Sequence, residues 1–183
     1  PKTRAILAVH MLGNPCDLDA LGKIASDNNL LLIEDTAQAF GGRYKGRFLG
    51  TIGEIGTYSF NIFKTINAGD GGLVVMDDKA MYETAFAFHD QGHMPRRMGI
   101  EIGKRSVIGL NFRMNEITGA FVLAQFRKLD KLIERLHEVK SLYKSIIESH
   151  PAINFRKLND PEGECGTLLT VLLPDKEIAE KVC

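Results

Sequence analysis

Three residues in the first half of the chain have types suited to covalent and acid–base chemistry: Asp35, Ser59 and Lys64. Asp35 follows the apolar run 30–33 (LLLI) and Glu34. Ligands of open α/β sheets bind at the carboxyl ends of the strands, and a carboxylate withdrawn from water there needs a cation or N–H donors. An Asp that only caps the next turn leaves the same signature. Gln38, three residues on, would place an amide on the same side of that turn, although alone it reads as a solvated loop residue. Ser59 stands next to the end of the run 56–60 (GTYSF), and a hydroxyl at a strand end can bind an anion such as phosphate. Lys64 follows in a loop that closes with Gly69-Asp70-Gly71-Gly72. A lysine near a cation or in an apolar pocket loses proton affinity and becomes a nucleophile; a surface lysine in a flexible loop is the plain alternative. His10 ends a strand on the same edge as Asp35 and is a candidate substrate ligand, whereas His89 and His93 read as loop or packing residues. Arg96, Arg97, Lys104 and Arg105 could hold an anionic substrate or form a solvated charged loop.

The elements that must position these groups follow from hydrophobic spacing. Residues 5–10 (AILAVH) form a short apolar run that predicts a buried strand. Asp17 then precedes Leu18, Leu21, Ile24 and Ala25, an N-cap followed by an amphipathic helix. With 30–33 as the next strand, the order is strand, helix, strand, and the two strands should lie parallel. Residues 41–53 read as a glycine-rich basic loop, 56–60 and 73–76 as strands, 78–89 as a helix and 91–111 as irregular. One long helix is predicted from about 115 to 149, because Leu129, Leu132, Leu136, Val139, Tyr143 and Ile146 form a single stripe. Pro151 stops it and marks the expected domain boundary, 1–150 against 151–183. Residues 168–173 (LLTVLL) predict a further strand, and a helix starts at Pro174-Asp175.

Composition narrows the class. Lys plus Arg and Asp plus Glu are 23 each, so net charge gives no reason to expect nucleic acid or an acidic membrane as partner. Cys16, Cys165 and Cys183 are sparse and widely spaced. That argues against a disulfide framework and a metal site and fits a reducing, cytoplasmic compartment. No apolar run is long enough to span a bilayer. The chain opens at Pro1 almost directly into a strand and stops at Cys183 inside a helix, so both ends read as cuts in a longer protein.

Four blocks in order carry a resemblance: Asp35-Thr36-Ala37-Gln38, then Ser59 to Lys64 (SFNIFK), then Gly69-Asp70-Gly71-Gly72, then Gly109 to Met114 (GLNFRM). Together with 5–10, Gly13, Pro15 and Asp17, they resemble the DegT/DnrJ/StrS family of sugar aminotransferases, fold-type I enzymes that use pyridoxal 5′-phosphate (PLP). The likeness runs from about Ala5 to Tyr143. It implies an α/β fold: part of a large PLP-binding domain with a mixed, mostly parallel sheet, and a long helix leading into the start of a smaller α+β domain. It implies that Lys64 bonds covalently to PLP, that Asp35 pairs with the pyridine nitrogen, that Gln38 contacts the ring and that Ser59 binds the phosphate. Asn111 (cofactor) and Arg113 (substrate) would reach into a neighbouring subunit's site, making the working unit a homodimer.

The implied reaction moves an amino group from glutamate or glutamine to a keto sugar, often nucleotide-linked, as in amino-sugar, lipopolysaccharide or antibiotic-sugar biosynthesis. Members that dehydrate their substrate carry His where Lys64 stands, so Lys64 favours transamination. The chain departs from the pattern in three ways. Family members are about twice as long, no segment matches the family's phosphate-binding turn or ring-stacking aromatic, and 88–94 (FHDQGHM) differs from the commoner form. An acidic octulosonate-type sugar is an alternative substrate, and a non-catalytic structural or regulatory relative is the alternative of a different class.

Overall fold

A computed structural model describes residues 2–95 and 107–182; the basic residues Arg96, Arg97, Lys104 and Arg105 lie outside the described residues. Strand β1 (Ala5–Val9) leads through a short 3-10 turn (Met11–Gly13) to helix α1 (Leu18–Asp27), and β2 (Leu31–Asp35) follows. Asp17 caps α1 as its spacing predicts, its carboxylate accepting the Ala20 N–H at 3.0 Å. A small hairpin, β3 (Arg43–Tyr44) and β4 (Arg47–Phe48), precedes β5 (Ile55–Ser59), β6 (Gly72–Val75) and helix α2 (Lys79–His89). Helices α3 (Glu116–Phe126) and α4 (Leu129–Ile147), the strand pair β7 (Asn154–Phe155) and β8 (Val171–Leu172), and helix α5 (Lys176–Val182) complete the order. Among the described residues, no helix is long and apolar enough to cross a membrane.

The main sheet runs β1-β2-β5-β6. β1, β2 and β5 are parallel, with Val9 opposite Asp35 and Asp35 opposite Thr57, and β6 closes the edge antiparallel with Gly72 opposite Ser59. Alternate residues of a strand face opposite sides, and the two sides differ sharply here. Ala8 and Leu32 are buried in a core with Leu18 and Ala25 of α1, and Glu34 on the same side is fully buried. The opposite face carries Leu7, 60% exposed, and Val74, 54% exposed, with Asp35, Thr57 and Ser59 along its carboxyl edge.

Two expectations are corrected. The helix predicted over 115–149 is two helices, divided at Arg127-Lys128. Phe126 packs edge-on against Phe40, and Leu129 inserts into a second core with Phe40, Phe60 and Ile66. The stripe read as continuous therefore belongs to α4, and it covers the core only at its amino-terminal end: Leu129 is buried while Tyr143 and Ile146 are mostly exposed. Residues 41–53 are not all loop either. Lys45 and Gly46, with φ of 50° and 82°, form the tight turn that joins β3 to β4, the conformation favoured in two-residue hairpins.

Chain beyond Pro151 packs on the first part. The Cys165 N–H donates to the Gly13 carbonyl at 3.2 Å, the Arg43 N–H to the Gly163 carbonyl at 2.5 Å, and the Asn159 amide to the Pro15 carbonyl at 2.8 Å. Cys165 belongs to the same core as Ala8 and Leu32.

Candidate active site

The geometry of the candidate residues starts from Glu34, which the sequence reading passed over. Its carboxylate accepts four hydrogen bonds: from His10 Nε2 at 3.1 Å, and from the backbone N–H groups of Gly50 at 2.8 Å, Ile52 at 2.7 Å and Gly53 at 2.7 Å. Burial pushes this carboxyl upward, but His10 and the three N–H groups outweigh it and hold it below the usual carboxylate range. The strand period carried the signal, because Glu34 alternates with Leu32 on the covered face. His10 completes the knot. Its Nδ1 accepts the Cys16 N–H at 3.0 Å, which leaves Nε2 to carry the proton toward Glu34. With both ring nitrogens engaged and the side chain fully buried, His10 ties β1 to β2 and has no nitrogen left for a substrate. The expectation that it binds substrate is corrected accordingly.

Glu34 fixes the end of β2, and the next residue is Asp35. Its Oδ1 accepts the Ala37 N–H at 2.9 Å, while Oδ2 makes no hydrogen bond among the described residues. Asp35 thus does cap its turn, and still presents one oxygen. Gln38 is oriented by the Leu12 N–H, which donates to Oε1 at 2.9 Å; Leu12 sits at a φ of 58°, unusual for a branched residue. The amide nitrogen of Gln38 is left for another partner.

Ser59 stands at the end of β5, on the same sheet face as Asp35, with its Oγ accepting the Asn61 N–H at 3.3 Å. The following loop is anchored at both sides of Lys64. Phe60 and Ile66 are 2% and 1% exposed, and backbone bonds join Phe60 to Gly71, Ala68 to Phe60 and Lys64 to Asn61 at 2.9 Å each. Lys64 itself is half-buried, and its ammonium has no hydrogen bond or ion pair among the described residues. The loop that bears it is tied back to the sheet at both ends, while Ile62 and Phe63 beside it are exposed. Asn111 and Arg113 are exposed. Asn111 Oδ1 accepts from Arg113 Nε at 3.1 Å, and neither residue bonds to Asp35, Gln38, Ser59 or Lys64. The site thus divides in two: Asp35, Gln38, Ser59 and Lys64 follow the carboxyl edge of β2 and β5, and Asn111 with Arg113 forms a separate group.

The profile of the DegT/DnrJ/EryC1/StrS aminotransferase family matches residues 1–182. The chain belongs to that family. Its members are PLP-dependent, fold-type I sugar aminotransferases and close relatives. GDP-perosamine synthase of Escherichia coli O157:H7 is 43% identical over 148 residues, covering 81% of this chain and 40% of the relative. GDP-4-keto-6-deoxy-D-mannose 3-dehydratase of Yersinia pseudotuberculosis is 32% identical over 169 residues, covering 85% and 43%. The solved structure of Helicobacter pylori PseC, an aminotransferase involved in the biosynthesis of pseudoaminic acid, superposes with a TM-score of 0.87 at 26% identity, covering 99% of this chain and 48% of that one. The chain therefore spans less than half the length of these DegT-family relatives, and its mixed, mostly parallel sheet with flanking helices matches about half of their fold.

Proposed function

We propose that the full-length protein is a PLP-dependent aminotransferase that moves an amino group from glutamate or glutamine to a nucleotide-linked keto sugar. The observation that carries this reading is the shared carboxyl edge: a carboxylate oxygen of Asp35 and the hydroxyl of Ser59 on one open sheet face, with the amine of Lys64, unpaired among the described residues, on an anchored loop directly after β5. The donor set suits the cofactor. Asp35 Oδ2 would accept a ring N–H, Gln38 would contact the ring, Ser59 Oγ would donate to phosphate, and Lys64 would bond to the aldehyde carbon. Bound there, PLP supplies a protonated ring that withdraws electrons from the substrate Cα. Asp35 keeps that ring nitrogen protonated. Lys64 would take the proton from the substrate Cα as base and deliver it as acid to the carbon that was the cofactor's aldehyde. Asn111 and Arg113 serve the cofactor and substrate of the neighbouring subunit, so the working unit is a homodimer. Residues 1–150 form part of the large PLP-binding domain, and 151–183 begin the smaller one.

The likeness to GDP-perosamine synthase favours a sugar nucleotide over an acidic octulosonate, and Lys64 favours transamination over dehydration. The test is a half-reaction. Full-length protein carrying the amine form of the cofactor is mixed with candidate keto sugars, and recovery of the absorbance of the lysine-bound form is recorded. Recovery with a nucleotide-linked keto sugar is expected. Recovery with an octulosonate alone would reassign the substrate, and no recovery with any sugar would favour the non-catalytic relative.

A further inference from the structure

The group formed by Asn111 and Arg113 is held by the end of α2. Asp90 is the C-terminal cap residue of that helix. A carboxylate there faces the negative end of the helix dipole, an unfavourable position. Asp90 is also only 7% exposed, so the hydration it loses must be offset by partners. It lies opposite Asn111 in an antiparallel bridge. Three backbone bonds flank that bridge: the Gln91 N–H donates to the Leu110 carbonyl at 3.0 Å, the Leu110 N–H to the Phe88 carbonyl at 2.7 Å, and the Phe112 N–H to the His89 carbonyl at 2.9 Å. Gly109 permits the close approach, since a Cβ there would lie 2.5 to 2.7 Å from Gly92 N, Phe88 O and Ala87 O.

The bridge sets Asp90 Oδ1 3.4 Å from Arg113 Nε, and Asn111 Oδ1 accepts from the same nitrogen at 3.1 Å. Nε is thus engaged from the protein side. The Arg113 side chain remains 46% exposed, and the two terminal nitrogens of its guanidinium make no hydrogen bond among the described residues. A guanidinium held by Nε presents those nitrogens as a planar fork, the geometry that receives a carboxylate or phosphate side-on.

We infer that Asp90 is a positioning residue for substrate binding: it aims the Arg113 fork at an oxyanion of the substrate, either the phosphate of a sugar nucleotide or the carboxylate of the amino donor. This rests on the reading of Arg113 as a substrate ligand. Asp90 touches no substrate in this scheme. It removes the ordering of a long side chain from the cost of binding, so it acts on affinity and leaves the proton-transfer step alone. Asp90→Asn keeps the shape and removes the charge. Because one immobilised side chain is at stake, KM for the anionic substrate should rise about 3- to 10-fold with kcat little changed.

The experiment uses the full-length, PLP-loaded enzyme as wild type, Asp90→Asn, Arg113→Ala and the double variant, with KM measured separately for keto sugar nucleotide and amino donor. The expected result is a raised KM for one of the two in each single variant, and a double variant no worse than Arg113→Ala. The substrate whose KM moves identifies the anion. Arg113→Lys keeps the cation but lacks the Nε that Asp90 contacts, so it should raise the same KM without Asp90 being altered, which keeps the test decisive if Asp90→Asn folds poorly. If Asp90→Asn leaves both KM values unchanged while Arg113→Ala raises one, the positioning role is overturned and the role of Arg113 stands. An Asp90→Asn effect that persists in full on the Arg113→Ala background overturns it as well. If Arg113→Ala moves neither KM, the reading of Arg113 fails first and takes the inference with it.

Discussion

Replacing Glu34 by Gln should destabilise the fold far more than its small change in shape suggests. Each carboxylate oxygen accepts two donors: Oε2 takes His10 and Gly50, and Oε1 takes Ile52 and Gly53. A glutamine can offer an oxygen to only one pair, and its NH2 then meets two N–H donors. His10 cannot relieve this by changing tautomer, because its Nδ1 already accepts the Cys16 N–H. Two hydrogen bonds to a charged acceptor are lost at about 1.5–3 kcal/mol each, partly offset by the easier burial of a neutral amide, which leaves a net loss of about 3–5 kcal/mol. Against a typical domain stability of about 5–15 kcal/mol, this is large. Urea unfolding should show it as a midpoint lowered by about 2 M at unchanged slope, taking a slope of about 2 kcal/mol per M. The same variant carries a pH signature. The folded-state pKa of Glu34 lies below its ordinary value of 4.5, so its contribution is complete above 4.5 and disappears as pH falls from there through the lower folded value. Wild type should lose stability over that acid window, and Glu34→Gln should lose correspondingly less. A midpoint shift equivalent to under about 1 kcal/mol, or an unchanged acid limb, would refute the role given to this carboxylate.

Other consequences are more local. Gly109→Ala should push residues 110–113 off the end of α2, because its Cβ would meet backbone atoms of Ala87, Phe88 and Gly92; KM for the anionic substrate should rise, and overpacking should cost about 1–3 kcal/mol in thermal unfolding. Asp17→Ala removes the cap of α1 and should cost about 1 kcal/mol by the same measurement. Burial pushes the Cys165 thiol above its usual 9.0, so iodoacetamide should modify the half-buried Cys16 well before Cys165 in the folded protein, as read by peptide mass spectrometry.

The elements of the main sheet were legible because each is a short apolar run ended by Gly, Asp or Asn, and α1 and α2 because Asp17 and Asp78 cap them, Asp78 accepting the Met81 N–H at 2.8 Å. The break between α3 and α4 was not legible. Arg127 and Lys128 are good helix formers, and neither Gly nor Pro marks the division; the chain turns there because Phe126 and Leu129 pack on the Phe40 core, a tertiary effect. The hairpin at 43–48 escaped because its strands are two residues long and its turn is Lys-Gly rather than Asn-Gly. At the candidate site, Asp35, Gln38, Ser59 and Lys64 were singled out, with Asn111 and Arg113, by the four ordered blocks and the family resemblance those blocks carry. The buried partners behind the candidate residues were missed: Glu34, next to Asp35, looks like the polar end of an apolar strand, and Asp90, which pairs with Arg113 in the separate group, like a solvated helix end. His10 was misjudged for a related reason. Its position at a strand end was visible, but its direction toward Glu34 on the covered face is set by strand alternation, which the edge argument ignored.

The central claim is that Lys64 carries the cofactor. The most direct measurement is borohydride reduction of the PLP-loaded full-length protein followed by trypsin and mass spectrometry. A reduced link at Lys64 blocks cleavage there, so the account predicts the added mass on an uncleaved peptide spanning residues 48–79. Cofactor mass on a peptide bearing another lysine, or a protein that binds PLP and retains no mass after reduction, would contradict it.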